Sequence, residues 1–362
     1  MYTPWLQTAG YSPGELPPGS FGEQLDSAAS PTTQVALVGL DAATADRVRG
    51  HLYRHFWDQG DLRVIDLGNL RKQNAEFAIP LIRELHTSRI LPVLIGGSVA
   101  GAASQYLAFA DLNREVGIGV IDSAVRVNYD PAHSSETAFL DRAVHRSEPP
   151  PFYLAHIGDQ RHLCDPRLDG LFQDRNFERY PLGRSRADLA DLEPAIRDVD
   201  CCILNICAVL AAESPAQEQM TPSGFSLQEA GQLAYYAGNS DRLSSFGVYG
   251  LAQKPADAHR TDLTAAAYAQ LIWYFLLGVS RRHADFPVST TGLIEYVVDS
   301  KTADRFTFWR SPRSNRWWVQ VPLDRHPGED RNRLVACSYA DYLATSQDGN
   351  LPERLFHAFC RY

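Results

Sequence analysis

The polar residues of this chain that could carry chemistry come directly after short apolar segments. They are Gly96 to Ala100, Asp122 to Arg126, and the pair Asn205 and Cys207 at the end of a third apolar segment. In an open parallel sheet, ligands and reacting groups collect in the crevice at the carboxyl ends of the strands. If the apolar segments are neighbouring parallel strands, these residues are expected to face one crevice.

The pattern of apolar segments predicts the elements that position these residues. Seven segments are predicted strands: Val35 to Val38, Val64 to Leu67, Leu91 to Ile95, Ile118 to Ile121, Phe152 to Ile157, Cys202 to Ile206 and Phe246 to Tyr249. Five are predicted helices: Ala43 to Trp57, Asn74 to Thr87, Gly101 to Asn113, Leu227 to Ala237 and Thr261 to Gly278. Continuous apolar strands that alternate with helices indicate an α/β fold with a mostly parallel sheet between two helical layers.

Composition and charge exclude several classes of protein. A chain of 362 residues with 44% hydrophobic residues is long enough to bury a large core without disulfides, and none of its six cysteines forms a C-x-x-C pair. The formal net charge of −9 argues against a nonspecific nucleic-acid binder. The sequence shows neither a secretory signal nor an apolar run of about 20 residues, so we expect a cytoplasmic protein with no membrane partner.

Changes in composition predict three regions along the chain. Residues 1–30 are rich in Gly, Pro and Ser and are expected to form an irregular arm, whereas residues 31–286 carry the α/β pattern. Residues 287–362 contain alternating segments with a turn at Ser311 to Asn315 between them, which predicts a hairpin in a small β-containing appendage.

The order and spacing of the strand ends resemble the arginase (ureohydrolase) superfamily, particularly its formimidoylglutamase-like branch. That family binds two manganese ions through a Gly-Gly-Asp-His loop, an Asp-x-His-x-Asp loop and a Ser-x-Asp-x-Asp loop. Three further segments resemble family motifs: Thr221-Pro222-Ser223-Gly224-Phe225 with Glu229 after it, Ile157-Gly158-Asp159-Gln160, and Ser245 to Tyr249. The resemblance covers roughly residues 30 to 285 and implies a three-layer α-β-α fold of arginase type.

The same resemblance implies that the metal ligands of the first two loops have been replaced. Val99 stands where the first histidine ligand is expected, and Ala124 and Arg126 replace a histidine and an aspartate of the second loop. Asp122 is the only ligand position retained. The crevice positions implied in this way are Ser98, Val99, Asp122, Ala124, Arg126, Asn205 and Cys207.

A binuclear metal site is physically disfavoured with these residues. Asn205 and Cys207 occupy the places of two aspartates in the third loop, and two close dications need several carboxylates to offset their repulsion. Arg126 adds a fixed positive charge and is expected to pair with Asp122 instead. The loop that starts at Gly250 also lacks the acid expected to bind substrate. We therefore expect no cofactor and no catalytic residue, with Mn²⁺ as the alternative.

Other chemistries receive less support from the sequence. Ser98 occupies the central glycine position of a dinucleotide fingerprint, which disfavours a Rossmann oxidoreductase. A nucleophilic triad would combine Ser98 or Ser123 with His133 or His156, but the sequence contains no G-x-S-x-G elbow. Cys207 is a candidate reactive thiol, for which a buried and inert cysteine is the favoured interpretation.

Three hypotheses for function remain. The first is a non-catalytic arginase-like protein that binds a protein partner or a small amino-acid or amidine-like ligand in the crevice. The second is an active metal-dependent hydrolase of amidine C–N bonds, of formimidoylglutamase or arginase type. The third is an assembly scaffold with no ligand. In each case the chain is expected to form a homo-oligomer.

Overall fold

The computed structural model places two β-sheets in one chain. It describes residues 2, 4–11, 14–109, 115–133, 135, 137–146, 151–252, 257–299, 305–321 and 334–361. The larger sheet has nine strands: β1 Leu6–Gln7, β2 Val35–Gly39, β3 Val64–Leu70, β4 Leu91–Ile95, β5 Gly117–Ile121, β6 Tyr153–Ile157, β7 Glu178–Tyr180, β8 Cys201–Asn205 and β9 Ser245–Tyr249. The smaller sheet has four: β10 Ile294–Asp299, β11 Arg305–Arg310, β12 Trp317–Gln320 and β13 Leu334–Cys337.

The larger sheet is parallel except at one edge. Its strand order is β1-β3-β2-β4-β9-β8-β5-β6-β7, and only β1 runs antiparallel, against β3. All seven predicted strands are present, so the prediction of a mostly parallel sheet is confirmed. The short edge strand β7 was not predicted. The N-terminal segment supplies β1, which pairs Leu6 with Leu70 of β3.

Helices cover both faces of this sheet. Those associated with this sheet are α1 Ala42–Leu52, α2 Ala75–Thr87, α3 Ala103–Leu107, α4 Asp141–Arg146, α5 Leu168–Asp174, α6 Leu182–Ala187, α7 Glu193–Arg197, α8 Leu227–Asn239 and α9 Ala258–Ser280. Two more, α10 Tyr339–Asp348 and α11 Glu353–Cys360, pack on the smaller sheet. Helices α1, α7, α8 and α9 share one apolar core cluster with the sheet, and α2 to α5 share another. The predicted three-layer α-β-α architecture is therefore confirmed.

Alternation along the strands divides the core between these two faces. In β8, Cys201 belongs to the cluster beneath α2 to α5, whereas Cys202 belongs to the cluster beneath α8 and α9. Successive side chains of a strand point to opposite faces, so apolar residues at every position are buried on both sides. The two adjacent cysteines therefore do not face each other.

Helix α9 begins earlier than the sequence pattern predicts. Asp257 is its N-cap, and its carboxylate accepts the His259 N–H at 2.8 Å. Thr261, where the predicted helix begins, donates its hydroxyl to the Asp257 carbonyl from within the first turn. By length and composition this helix is apolar enough to cross a membrane. It is a core helix here, because it packs on α1 and α8 and stacks Phe275 on Phe246 at 4.0 Å.

The C-terminal region forms the antiparallel sheet β10-β11-β12-β13, capped by α10 and α11. The hairpin turn at Ser311 to Asn315 exists, but it joins β12 to β11 rather than to β10. Strand β11 was not predicted. Arg197 of α7 ties this sheet to the main domain, since its guanidinium donates to the carbonyls of Trp317 and Cys337.

Candidate functional site

The strand order brings the three predicted segments together at the carboxyl ends of the central strands. Strands β4, β9, β8 and β5 are consecutive neighbours and parallel, so their carboxyl ends lie side by side. The segments that begin at Gly96, Asp122 and Ile206 leave the sheet from this edge. The three strand ends that were expected to meet therefore lie on the same side of the sheet.

Asp122 lies at the centre of a buried hydrogen-bond network. Its carboxylate accepts Arg126 Nε at 3.0 Å and Arg126 Nη2 at 3.4 Å, and Asn205 Nδ2 at 2.7 Å. The Ala124 N–H donates to the same carboxylate at 3.3 Å. Asp122 and Asn205 are wholly inaccessible, and Arg126 is 7% exposed. The Asp122 carboxylate therefore already has hydrogen-bond partners within the protein. We call Asp122, Arg126 and Asn205 the Asp122 network.

Arg126 is held as a cation inside this network. Burial disfavours the charged guanidinium, but the charge of Asp122 and its hydrogen bonds outweigh burial, so the pKa of Arg126 is raised above its usual value. Glu218 adds to the same effect. Arg126 Nη1 also donates to Gln219 Oε1 at 2.6 Å, and Gln219 is exposed. A fixed positive charge consequently stays at this position throughout the physiological pH range.

Glu218 and Gln219 are site residues that sequence reasoning missed. The Glu218 carboxylate accepts the Val99 N–H at 3.1 Å, and the Glu218 N–H donates to the Gly250 carbonyl at 2.8 Å. Both residues belong to the connection between β8 and α8, which carries no periodic pattern. The feature of the sequence that could have indicated Glu218 and Gln219 is their position between Cys207 and the motif that starts at Thr221.

Cys207 is buried and protonated. Its N–H donates to Asn205 Oδ1 at 3.0 Å, which orients the Asn205 amide towards Asp122. Burial raises the pKa of the Cys207 thiol to about 12, with a further contribution from Asp122 that exceeds the opposing effect of Arg126. The thiol is therefore neutral near pH 7, which agrees with the inert cysteine favoured from the sequence. A Cβ at Gly250, where φ is +93°, would lie 2.0 Å from Asn205 Oδ1, so the site requires glycine there.

The other predicted positions have structural partners. Val99 is 1% exposed and lies in the apolar core cluster that includes Tyr249. Ser98 Oγ accepts the Ala100 N–H and caps the 3-10 turn Val99–Ala102. The Ala124 carbonyl accepts His156 Nε2 at 3.2 Å. Ser98 thus lies apart from the Asp122 network.

A serine triad is not formed at this edge of the sheet. Ser123 Oγ donates to Asp122 at 3.4 Å, and Ser98 Oγ is occupied by its own turn. His156 contacts a backbone carbonyl, and the exposed His133 contacts Asp130 at 3.0 Å. The described contacts of these serines and histidines therefore do not join a nucleophile to a base.

The residues at the strand ends do not fit a pair of manganese ions. Within the part of the chain that the structure describes, no group of three or more His, Cys, Asp or Glu side chains is arranged to hold a metal ion. The Asp122 carboxylate is bound by a guanidinium and an amide, and Cys207 is a neutral thiol. Dications prefer several anionic oxygen ligands, whereas this edge presents a buried cation.

Solved structures with the same architecture were found by comparison. The Trypanosoma cruzi formiminoglutamase with Mn²⁺₂ superposes with a TM-score of 0.64 and 15% identity, covering 72% of this chain and 99% of that chain. Formimidoylglutamase from Bacillus subtilis subsp. subtilis str. 168 gives a TM-score of 0.61 at 13% identity, with 77% and 98% covered. Arginase from the same strain gives 0.53 at 13% identity, with 67% and 98% covered.

Comparison of sequences alone does not identify this fold. No protein-family model and no curated protein sequence matches the chain. Identities of 13–15% carry the fold and not the activity. The chain therefore has the fold of the arginase (ureohydrolase) superfamily.

Proposed function

We propose that this protein is a non-catalytic member of the arginase fold that has lost the binuclear manganese site and acts by binding a small molecule or a protein partner. The observation that carries this proposal is the buried pair of Arg126 and Asp122, with Nε and Oδ2 3.0 Å apart. It places a fixed cation beside the one family ligand position that is retained.

The chemistry of amidine hydrolysis gives the physical reason. Water near neutral pH is a weak nucleophile, and metal hydrolases activate it by lowering its pKa on a bound dication. At this site Arg126 offers a positive charge, but a guanidinium is not a Lewis acid and does not coordinate water as a dication does. Its donors also already face Asp122 and Gln219. Asn205 and Cys207 are neutral, so neither replaces the lost carboxylates.

The class of ligand rests on analogy with the fold. Formiminoglutamase and arginase, the enzymes with similar structures, suggest an amino-acid or amidine-like molecule. The same names support the alternative, an active metal-dependent hydrolase of amidine C–N bonds. The Mn²⁺₂ of the Trypanosoma cruzi structure is the specific observation in its favour.

The metal content of the purified protein separates these two functions. The protein is incubated with manganese, excess metal is removed, and bound metal is counted by mass spectrometry. We expect a value near zero per chain. A value near two would overturn the proposal and support the hydrolase.

A variant with restored ligands provides the positive control. It combines Val99→His, Ala124→His, Arg126→Asp, Asn205→Asp and Cys207→Asp, and its fold is checked by circular dichroism. We expect it to retain more manganese than the unsubstituted protein. If the folded variant gains none, the assignment of at least one strand end is wrong.

A further inference from the structure

A cavity lies between the carboxyl ends of β2 and β4. Its volume is about 390 Å³. It is lined by residues that follow these two strands, by the start of α2 and by the segment that enters α4. The lining includes Leu40, Asp41, Leu70, Phe139, Asp141 and Arg142. Asp122, Arg126, Asn205 and Cys207 do not line it. We call it the β2–β4 cavity.

The order of the strands reverses its direction at this position. From β2 the chain crosses to β3 on one side, and it then returns to β4 on the other side of β2. From its carboxyl end β2 leads to α1 on one face of the sheet, whereas β4 leads to α3 on the other face, so these two connections separate at the carboxyl ends of β2 and β4. Open α/β sheets bind ligands in the crevice formed at such a reversal of strand order.

The charged side chains of the cavity differ in how many hydrogen-bond partners the protein itself already provides. The Asp41 carboxylate accepts the Thr44 N–H at 2.7 Å and the Gln73 side-chain amide. Asp141 Oδ1 accepts the Asn128 N–H at 2.6 Å, and its Oδ2 accepts the Asn128 side-chain amide. Both acids therefore serve the protein's own backbone and amides.

Arg142 is the charged group left for a ligand. It is exposed, and the described part of the chain supplies no acidic partner for its guanidinium. A guanidinium presents paired donors that match the two oxygens of a carboxylate. The N-terminus of α2 lies on the same wall, at Asn74, and its dipole adds to the positive potential.

Apolar side chains form another part of the wall, beside polar residues such as Gln73 and Ser104. Leu40, Leu70, Ala78 and Phe139 are all buried and contribute side chains to the lining. The volume is at the lower end of the range of roughly 300–1,000 Å³ that is usual for small-molecule sites. A ligand of this cavity therefore has a compact hydrocarbon body and one anionic end.

We propose that the β2–β4 cavity binds a small carboxylic acid with an apolar body, with its carboxylate on Arg142 and its hydrocarbon part against Leu40, Leu70 and Phe139. Apolar amino acids belong to this class. The proposal rests on the proposed binding function and names its site, which Ser98 borders but the Asp122 network does not line.

The test is a titration of the full chain with phenylacetate and 4-methylpentanoate, followed by calorimetry. Phenylacetamide, which has the same body without the charge, is titrated in parallel. We expect the acids to bind, Arg142→Gln to weaken them at least tenfold, and the amide to bind the unsubstituted protein no better than the acids bind Arg142→Gln. Arg175→Gln, which changes an exposed arginine at the C-cap of α5 outside this lining, is the matched control and should bind the acids normally.

One further variant tests the cavity itself. Ala75→Trp adds a bulky side chain to the cavity lining in the first turn of α2 and should abolish binding of the acids. Failure of both acids to bind, or binding that survives Arg142→Gln and Ala75→Trp, overturns the cavity assignment. Either result leaves the proposed function standing, because the manganese count tests it separately.

Discussion

Arg126 is a charged side chain in a place where water is nearly excluded. Its guanidinium contacts the wholly buried Asp122 carboxylate, while Glu218 lies close enough to stabilise its charge. Buried ion pairs are costly to form because both charges lose water, yet they are also costly to break, because the remaining charge keeps no partner. The pair therefore acts as a local constraint on the loops that leave β5 and β8.

Substitution of Arg126 by methionine should reveal this constraint. Arg126→Met keeps the aliphatic volume but leaves the Asp122 charge buried without its partner, and we expect a loss of about 3–5 kcal/mol in the free energy of unfolding. Urea denaturation at pH 7 measures it. The double variant Arg126→Met with Asp122→Asn should recover part of the loss, because the unpaired charge is gone.

An exposed ion pair offers a matched comparison for this prediction. Arg305 and Asp299 are 3.0 Å apart with 76% and 79% of their side chains exposed. Arg305→Met should change the free energy of unfolding by about 0.5 kcal/mol or less. If Arg126→Met is as mild as Arg305→Met, the Asp122 network does not constrain the fold.

The sequence predicts part of this site for a physical reason. The pairing of Arg126 with Asp122 follows from two opposite charges four residues apart beyond one strand, in a crevice with no other strong partner predicted. Glu218 and Gln219 could not be predicted, because they reach the site from a loop whose path is set by contacts far along the chain. The backbone bond from Glu218 to Gly250 is such a contact.

At the scale of elements, α7 joins the two sheets. Arg197 donates to the Trp317 carbonyl at 3.1 and 3.2 Å and to the Cys337 carbonyl at 3.1 Å, and it stacks on the Trp318 ring at 4.6 Å. Arg197 is 3% exposed, and Glu193 holds its Nε at 3.0 Å. One side chain thus satisfies carbonyls on two neighbouring strands of the smaller sheet.

Arg197→Met should loosen the smaller sheet without unfolding the larger one. The substitution leaves the carbonyls of β12 and β13 without their buried donor, a loss that costs about 1–3 kcal/mol for each group. We expect faster hydrogen exchange of the amides in β12 and unchanged exchange in β8. Equal acceleration in both strands would mean that the two sheets open together. The exposed Arg281 provides the control as Arg281→Met.

The accuracy of the predicted elements follows their burial and length. Strands β2, β4 and β8 are apolar at nearly every position because both faces are covered, so they were recognised. Strand β7 contains Glu178 and Arg179 at the sheet edge, where polar residues are tolerated and the apolar signal disappears. Helices α4 to α7 have five to seven residues, too few for a helical period to be distinguished.

For the whole molecule, buried titratable groups predict how stability depends on pH. Burial disfavours the Glu178 carboxylate, but Arg361 and Arg354 outweigh this, so its pKa lies below the usual 4.5. A depressed pKa gives stability that is present above the unfolded value and is lost as pH falls through the folded value. Burial raises the pKa of Cys202 and Cys207 to about 12, so their contribution is complete below pH 9 and is lost as pH rises towards 12.

The melting temperature should therefore fall below about pH 4.5 and again above about pH 9. A series of thermal scans across this range measures both limbs. Glu178→Gln should lower the plateau and flatten the acid limb, whereas Cys202→Ala should flatten the alkaline limb. An acid limb that is unchanged in Glu178→Gln would show that other carboxylates govern it.

The two outer strands of the larger sheet are very short. Strand β1 has two residues and β7 has three, and Arg361 at the C-cap of α11 donates to the Asn176 carbonyl before β7 and to the Glu178 carboxylate within it. Long unpaired strand edges are the surfaces through which β-proteins extend one another's sheets and aggregate. The β7 end of this sheet offers little backbone for such growth, whereas at the other end β1 pairs with only two of the seven residues of β3. Growth of the sheet between copies would then start from β3 rather than from β7, and loss of Arg361 would free the Asn176 carbonyl and the Glu178 carboxylate at the β7 end.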